Sequence, residues 1–180
     1  MNTNTVEEKT LESEMIYEGA ILNLRRDKVV VKNGGTSHRE IVEHIDGVTI
    51  LGVTPEGKIP MVRQFRKAAE RVMFELPAGK LEKGEDPLSA AFREFREETG
   101  YTAGNIERVC SFYPTVGYST ELLHVYIATD LTAGETDFDD NEAIDVEEYF
   151  PDELQRMVDR KEIDDSKTLI GFLIYQSRHR

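Results

Sequence analysis

The stretch from Asp86 to Gly100 constrains this chain most, because it carries the start and stop marks of a helix around a set of glutamates. Asp86 suits an N-cap, Pro87 suits the first turn, good helix formers follow, and Gly100 suits a terminator. Glu94 and Glu97 are three apart and Glu94 and Glu98 four apart, so a helix sets all three carboxylates on or beside one face. Like charges at these spacings repel by roughly a few tenths of a kcal/mol per pair, and by more once desolvated. The cluster therefore calls for a cation. Arg93 and Arg96 supply part of it, and a hard divalent ion fits the rest, since magnesium binds few carboxylates and keeps positions open for water and phosphate oxygens. The bland alternative is an exposed helix whose glutamates only solvate it, and the fixed spacing to Gly79, Glu85, Arg93 and Gly100 weighs against that.

Gly79, five residues, Glu85, seven residues, then Arg93-Glu94-Phe95-Arg96-Glu97-Glu98-Thr99-Gly100-Tyr101 resembles the Nudix box, G-x5-E-x7-R-E-U-x-E-E-x-G-U with U a bulky aliphatic residue. Every charged and glycine position is filled; Phe95 and Tyr101 are aromatic where Ile, Leu or Val is usual. The resemblance implies Glu94, Glu97 and Glu98 as metal ligands, with the backbone carbonyl of Ala78 as a further oxygen ligand. It also implies Glu97, Glu85 and Arg93 as catalytic candidates, Glu85 assisting the ligands and Arg93 orienting a neighbouring carboxylate by charge-assisted hydrogen bonding. The implied cofactor is magnesium, with manganese as its substitute.

A likeness to ADP-ribose pyrophosphatases extends over most of residues 15 to 175. It rests on Arg39-Glu40-Ile41-Val42-Glu43-His44, on Val62-Arg63-Gln64-Phe65-Arg66, on Glu75-Leu76-Pro77-Ala78-Gly79, and on the loop from Phe112 through Gly117 to Glu121. In that loop Thr115-Val116 departs from the usual form, close to Ser-Pro-Gly-Phe, and loosens the terminal sugar preference. The resemblance makes Gly117 and Glu121 substrate-binding candidates.

Composition bounds the partners. At 180 residues, 39% hydrophobic and 32% charged, the chain suits one globular domain with a sizeable core. A formal net charge of -13 argues against nucleic-acid backbones and acidic membranes, and a phosphate-bearing substrate would need a divalent metal to offset repulsion. Cys110, the one cysteine, cannot form an internal disulfide, which favours a reducing, cytoplasmic setting; within Val109-Cys110-Ser111-Phe112 it reads as a small core residue. The first stretch is polar and no apolar run approaches membrane length, so neither a signal peptide nor a spanning segment is expected. His38, His44, His124 and His179 show no metal-ligand spacing.

Along the chain, residues 1–14 are polar and weakly patterned and read as a flexible segment ahead of one domain over 15–180. Strand-like residues run from Met15 to His44, and Asn33-Gly34-Gly35 signals a hairpin. A second meander is expected from Val48 to Val53, the turn Thr54-Pro55-Glu56-Gly57, and Ile59 to Gln64. Apolar stretches follow around Ile106 to Phe112 and Leu122 to Ala128, then an acidic loop and a short strand near Ile144. One late helix starts at Pro151-Asp152-Glu153 and another at Asp165 or Ser166, the latter with Leu169, Phe172, Leu173 and Tyr175 as a buried stripe. Composition says only α plus β; the resemblance implies an α/β/α sandwich with a mixed β-sheet and an N-terminal antiparallel β-sheet. It further implies a homodimer in which the N-terminal strands, residues 15–45, complete the adenine pocket of the other subunit.

Candidates outside the box carry two readings each. Arg66 follows a strand and could fork onto diphosphate oxygens, or be a surface charge. Arg39 and Glu43 share a strand face and could grip the adenine or ribose, or simply pair across a hairpin. The acidic loop Asp137 to Ile144 could swing a carboxylate onto the metal site, Glu142 first and Asp140 second, or be a solvated turn.

The implied reaction is attack of metal-activated water on one phosphorus of a nucleoside diphosphate derivative, with Glu142 or a box glutamate taking the proton. For ADP-ribose the products are AMP and ribose 5-phosphate. The competing expectations are another nucleotide sugar, GDP-mannose or UDP-glucose, and a sensor that binds ADP-ribose without cleaving it. Such sensors usually lose box glutamates, and this chain keeps them.

Overall fold

The computed structural model describes residues 7–136 and 144–179. They divide into two compact units, Met1–Ile45 with Tyr113–Leu122, and Asp46–Phe112 with Leu123–Arg180, where the sequence had suggested one domain from residue 15 onward.

The first unit is a three-stranded antiparallel sheet in the order β1 (Thr10–Glu18), β2 (Leu22–Val30), β3 (Thr36–His44). The glycine turn between β2 and β3 forms as its residues predict, with Gly34 at φ 79 and its N–H donating to Val31 O at 2.9 Å. The expected flexible segment is corrected at its end: residues 10–14 belong to β1. Their pairing with β2 is backed by Lys28–Glu12 at 2.9 Å, Arg26–Glu14 at 2.6 Å and Ser13 Oγ donating to buried Asp27 at 2.6 Å. Polar composition hid this strand, whose cohesion comes from cross-strand charge rather than from an apolar face. Leu11, Met15, Ile16 and Tyr17 leave apolar surface exposed along it. The segment Tyr113–Leu122 joins this unit by pairing with β3: Val42 N donates to Tyr118 O at 2.7 Å and Thr120 N to Val42 O at 3.0 Å.

In the second unit, β4 (Gly47–Gly52), β7 (Ala78–Lys80), β8 (Thr102–Phe112) and β9 (Leu123–Thr132) form a sheet in the order β7-β4-β9-β8, with β4 and β9 parallel. A second, antiparallel sheet has the order β10-β5-β6, with β5 at Ile59–Arg66, β6 at Arg71–Glu75 and β10 at Ile144–Tyr149. The expected second meander is therefore corrected. Its turn is present, with Gly57 at φ 80, but the two strands enter different sheets. β4 is buried at all six positions, the mark of a strand covered on both faces, and it pairs with β9 instead of its sequence neighbour.

Helices cover both faces of the mixed sheet. Val48, Ile50, Tyr126 and Ala128 pack with Ala90, Ala91 and Phe95 of α1 (Pro87–Thr99). On the opposite side Leu51 and Ile127 pack with Leu154 and Met157 of α2 (Pro151–Asp159) and with Phe172 and Tyr175 of α3 (Ser166–Arg178). Leu173, predicted for the buried stripe of α3, is 61% exposed; Thr168 and Gly171 share the buried face with Phe172 and Tyr175 instead. A small residue there lets the helix approach, since a Cβ on Gly171 would press into Leu76.

The box helix is built as its punctuation predicts. Asp86 accepts from Leu88 N at 3.0 Å and Ser89 N at 3.2 Å, and Gly100 at φ 73 donates its N–H to Arg96 O at 2.8 Å. The aromatic Phe95 is fully buried with its ring against Gly52, where any side chain would overlap it, so Gly52 makes the room that Phe95 fills. Phe95→Ala is expected to lower stability by about 3–5 kcal/mol in urea denaturation; a loss under about 1 kcal/mol would show that the ring does not anchor the helix.

Candidate metal and diphosphate site

Four charged side chains of α1 meet the short strand β7 and the loop before the helix. Arg93 lies among them. Its Nε and Nη2 donate to the two oxygens of Glu85, each at 2.9 Å, and Nη1 donates to Glu94 at 2.8 Å and to Glu97 at 3.2 Å. Nη2 also donates to Lys80 O at 3.2 Å, which fixes the guanidinium to the strand. These bonds hold the Arg93 pKa above its ordinary value and the Glu85 carboxyl below its own. Glu85 is also held by Glu82 N at 2.8 Å.

Glu94 and Glu98 are placed by the backbone of β7. The Glu94 carboxylate occupies the space that a side chain at Gly79 would fill, so only glycine serves there. Glu98, 5% exposed, accepts the Ala78 N–H at 2.9 Å. Ala78 and Glu98 are thus brought together, as are Glu85, Arg93, Glu94 and Glu97. Among the described residues no three acidic, histidine or cysteine side chains already converge as a ready metal group. The donors still fit a hard divalent cation: they are oxygens, Gly79 leaves a cradle for one carboxylate, and the guanidinium shows where positive charge is accommodated.

Arg66, at the end of β5, makes a fork, and its fork closes on Glu75 at 2.7 Å for both bonds. Glu75 is 2% exposed and is also bonded by Lys167. Burial pushes its carboxyl up, but the Arg66 hydrogen bond and the Lys167 charge outweigh this and hold it low. Sequence reasoning assigned no role to Glu75 or Lys167. The Glu75-Leu76-Pro77-Ala78-Gly79 run was a usable signal for the first, while nothing local marked the second, which lies 92 residues away.

Arg39, Glu43, Gly117 and Glu121 lie in the first unit. Glu43 pairs with Arg25 across the β2/β3 hairpin, and Arg39 pairs with Glu8, so the two do not pair with each other. Arg25 in turn reaches Asp27 at 3.1 Å. Gly117 and Glu121 sit in the segment paired to β3, with Glu121 at 3.8 Å from His44 Nδ1. Glu142 and Asp140 lie outside the described residues. Cys110 is half-buried and burial pushes its thiol up, which suits packing and not nucleophilic attack. His124 is buried and bonded through Nδ1 to Ser111 Oγ at 2.8 Å.

Comparison with known proteins adds what geometry alone leaves open. The NUDIX domain matches residues 43–170, and the nucleoside diphosphate sugar hydrolase N-terminal domain matches residues 8–42. The chain is 43% identical to an ADP-ribose pyrophosphatase of Bacillus subtilis, covering 91% of this chain and 90% of that one. It is 44% identical to a methanol dehydrogenase activator of Bacillus methanolicus, covering 92% and 90%. A solved ADP compounds hydrolase shares the fold at a TM-score of 0.86 and 15% identity, over 98% of this chain and 96% of the other. No helix among the described residues is long and apolar enough to cross a membrane. With a domain match that takes in both β7 and the whole of α1, the chain belongs to the Nudix hydrolase family.

Proposed function

We propose that the protein hydrolyses ADP-ribose to AMP and ribose 5-phosphate. The reading is carried by the acid cluster of α1, with Glu94 seated at Gly79, in a chain 43% identical over 91% of its length to an ADP-ribose pyrophosphatase. Nudix hydrolases use divalent ions, and here Glu94, Glu97, Glu98 and the Ala78 carbonyl would hold magnesium, with manganese able to replace it. Such an ion stabilises charge gathering on phosphate oxygens and offsets the repulsion expected from a chain of net charge -13.

The chain's own residues do the remaining work. Arg93 keeps Glu85, Glu94 and Glu97 grouped, and Arg66 presents positive charge to the diphosphate. Water adds to one phosphorus, the P–O–P bridge breaks, and the water proton passes to a carboxylate, either a loop acid, Glu142 first and Asp140 second, or one of the box glutamates. Arg39, Glu43, Gly117 and Glu121 grip the nucleoside or the terminal sugar. The exposed apolar residues of β1 support a homodimer built on the N-terminal strands, and the single cysteine supports a cytoplasmic setting.

A phosphate-release assay coupled to a phosphatase, run with ADP-ribose, GDP-mannose and UDP-glucose and with magnesium or manganese, is expected to give the highest kcat/KM for ADP-ribose. Preference for another sugar would replace the substrate, and tight ADP-ribose binding without turnover would make the protein a sensor. Glu98→Gln is expected to remove most turnover with an unchanged circular dichroism spectrum; a near-normal rate would sink its ligand role. Gly79→Ala, which pushes the Glu94 carboxylate from its seat, is expected to lower kcat on the order of a hundredfold in the same assay. Sedimentation showing a monomer at assay concentration would remove the dimer.

A further inference from the structure

Arg66 is clamped on one side only. Nε and Nη2 are taken by Glu75, while among the described residues Nη1 has no partner and the side chain stays 42% exposed. One guanidinium is enough to neutralise one carboxylate. Lys167 nevertheless closes on the same Glu75, at 11% exposure, and stands 3.0 Å from Asp165. A buried anion is thus shared by two cations.

Position 167 is an unfavourable place for that second cation. It lies in the first turn of α3, where the unpaired N–H groups and the helix dipole already concentrate positive charge. Burying an ammonium there adds a desolvation cost. Docking of the helix does not require the charge. Asp165 caps α3 through Thr168 N at 3.0 Å, and Thr168 Oγ1 accepts Leu76 N at 2.9 Å, fixing the same turn to the strand end by neutral groups. The Lys167 charge acts on Glu75 instead, keeping it ionised and sharing its Oε2 with Arg66, whose fork spans both oxygens.

The consequence reaches the diphosphate site. With Lys167 absorbing part of the Glu75 charge, less of the Arg66 charge is cancelled, and its Nη1 edge is open to an anion. Past Leu76 and Pro77, which follow the end of β6, the chain enters β7 at Ala78, whose N–H holds Glu98, and the Glu98 charge bears on Arg66. We propose that Lys167 is a positioning residue that acts through Glu75 to hold and polarise the phosphate-facing edge of Arg66. This rests on the reading of Arg66 as a diphosphate ligand.

Lys167→Met is expected to raise KM for ADP-ribose roughly tenfold with kcat within about threefold. It should weaken a non-hydrolysable methylene-bridged ADP-ribose analogue by a like factor in calorimetry, and Lys167→Arg should restore both. If Lys167→Met fails to fold, Lys167→Gln carries the same readings. A merely structural lysine would lower thermal stability and leave a folded variant's KM and analogue affinity unchanged, and that result overturns the proposal. Arg66→Gln separates the two levels: unchanged KM there removes the Arg66 reading and the proposal with it. A raised KM for Arg66→Gln beside a normal one for folded Lys167→Met or Lys167→Gln removes the Lys167 role alone. In the double variant Arg66→Gln with Lys167→Met, no loss beyond that of Arg66→Gln is expected; a further loss shows that Lys167 acts by another route.

Discussion

Crowded negative charge on the last turns of α1 is the condition that the rest of the catalytic unit answers. Two unit charges 4 Å apart interact by about 4 kcal/mol at the effective dielectric of a protein surface, so three carboxylates cannot be gathered without compensation. The compensation comes in more than one kind. Glu94 and Glu97 share the Arg93 guanidinium, Glu94 also gains space from the missing side chain of Gly79, and Glu98 takes a peptide N–H. The arrangement places the acids by backbone and charge together, in an oxygen-rich setting that a divalent ion would suit.

The scaffold makes this placement rigid. β7 pairs with β4, which is buried on both faces and lies beside β9 in the centre of the mixed sheet. The strand end leading into β7 is held from two sides, Leu76 N by Thr168 of α3 and Ala78 N by Glu98 of α1. Gly79 therefore cannot drift from the helix it serves, which is the precision a reacting geometry needs. Core packing reinforces it, since Phe95 fills the hollow over Gly52 on the underside of the same helix.

What was legible in the sequence was local. Asp86, Pro87 and Gly100 announced α1 because caps act within one turn, and Gly34 and Gly57 announced their turns because positive φ is a property of the residue itself. The box acids were legible because their spacing carries the chemistry. What stayed hidden depended on distant partners. Nothing in Val48 to Val53 says that β4 prefers β9 to β5, and nothing in the polar residues 10–14 says that β2 supplies matching charges. Leu173 fits an apolar pattern, but α3 turns its Gly171 side inward because the approach to Leu76 allows only a small residue. Lys167 is the extreme case, a lysine ordinary in sequence on α3 whose partner Glu75 ends the distant strand β6.

The segment Tyr113–Leu122 leaves and re-enters the catalytic unit between paired residues, Phe112 opposite Leu123, while its own backbone bonds go to β3. The polypeptide thus visits the amino-terminal sheet twice. Such interleaving ties the three strands to a later stretch of chain: excising them would strand the excursion without its edge, and grafting them elsewhere would leave the Val42 backbone groups without the partners that Tyr118 and Thr120 supply.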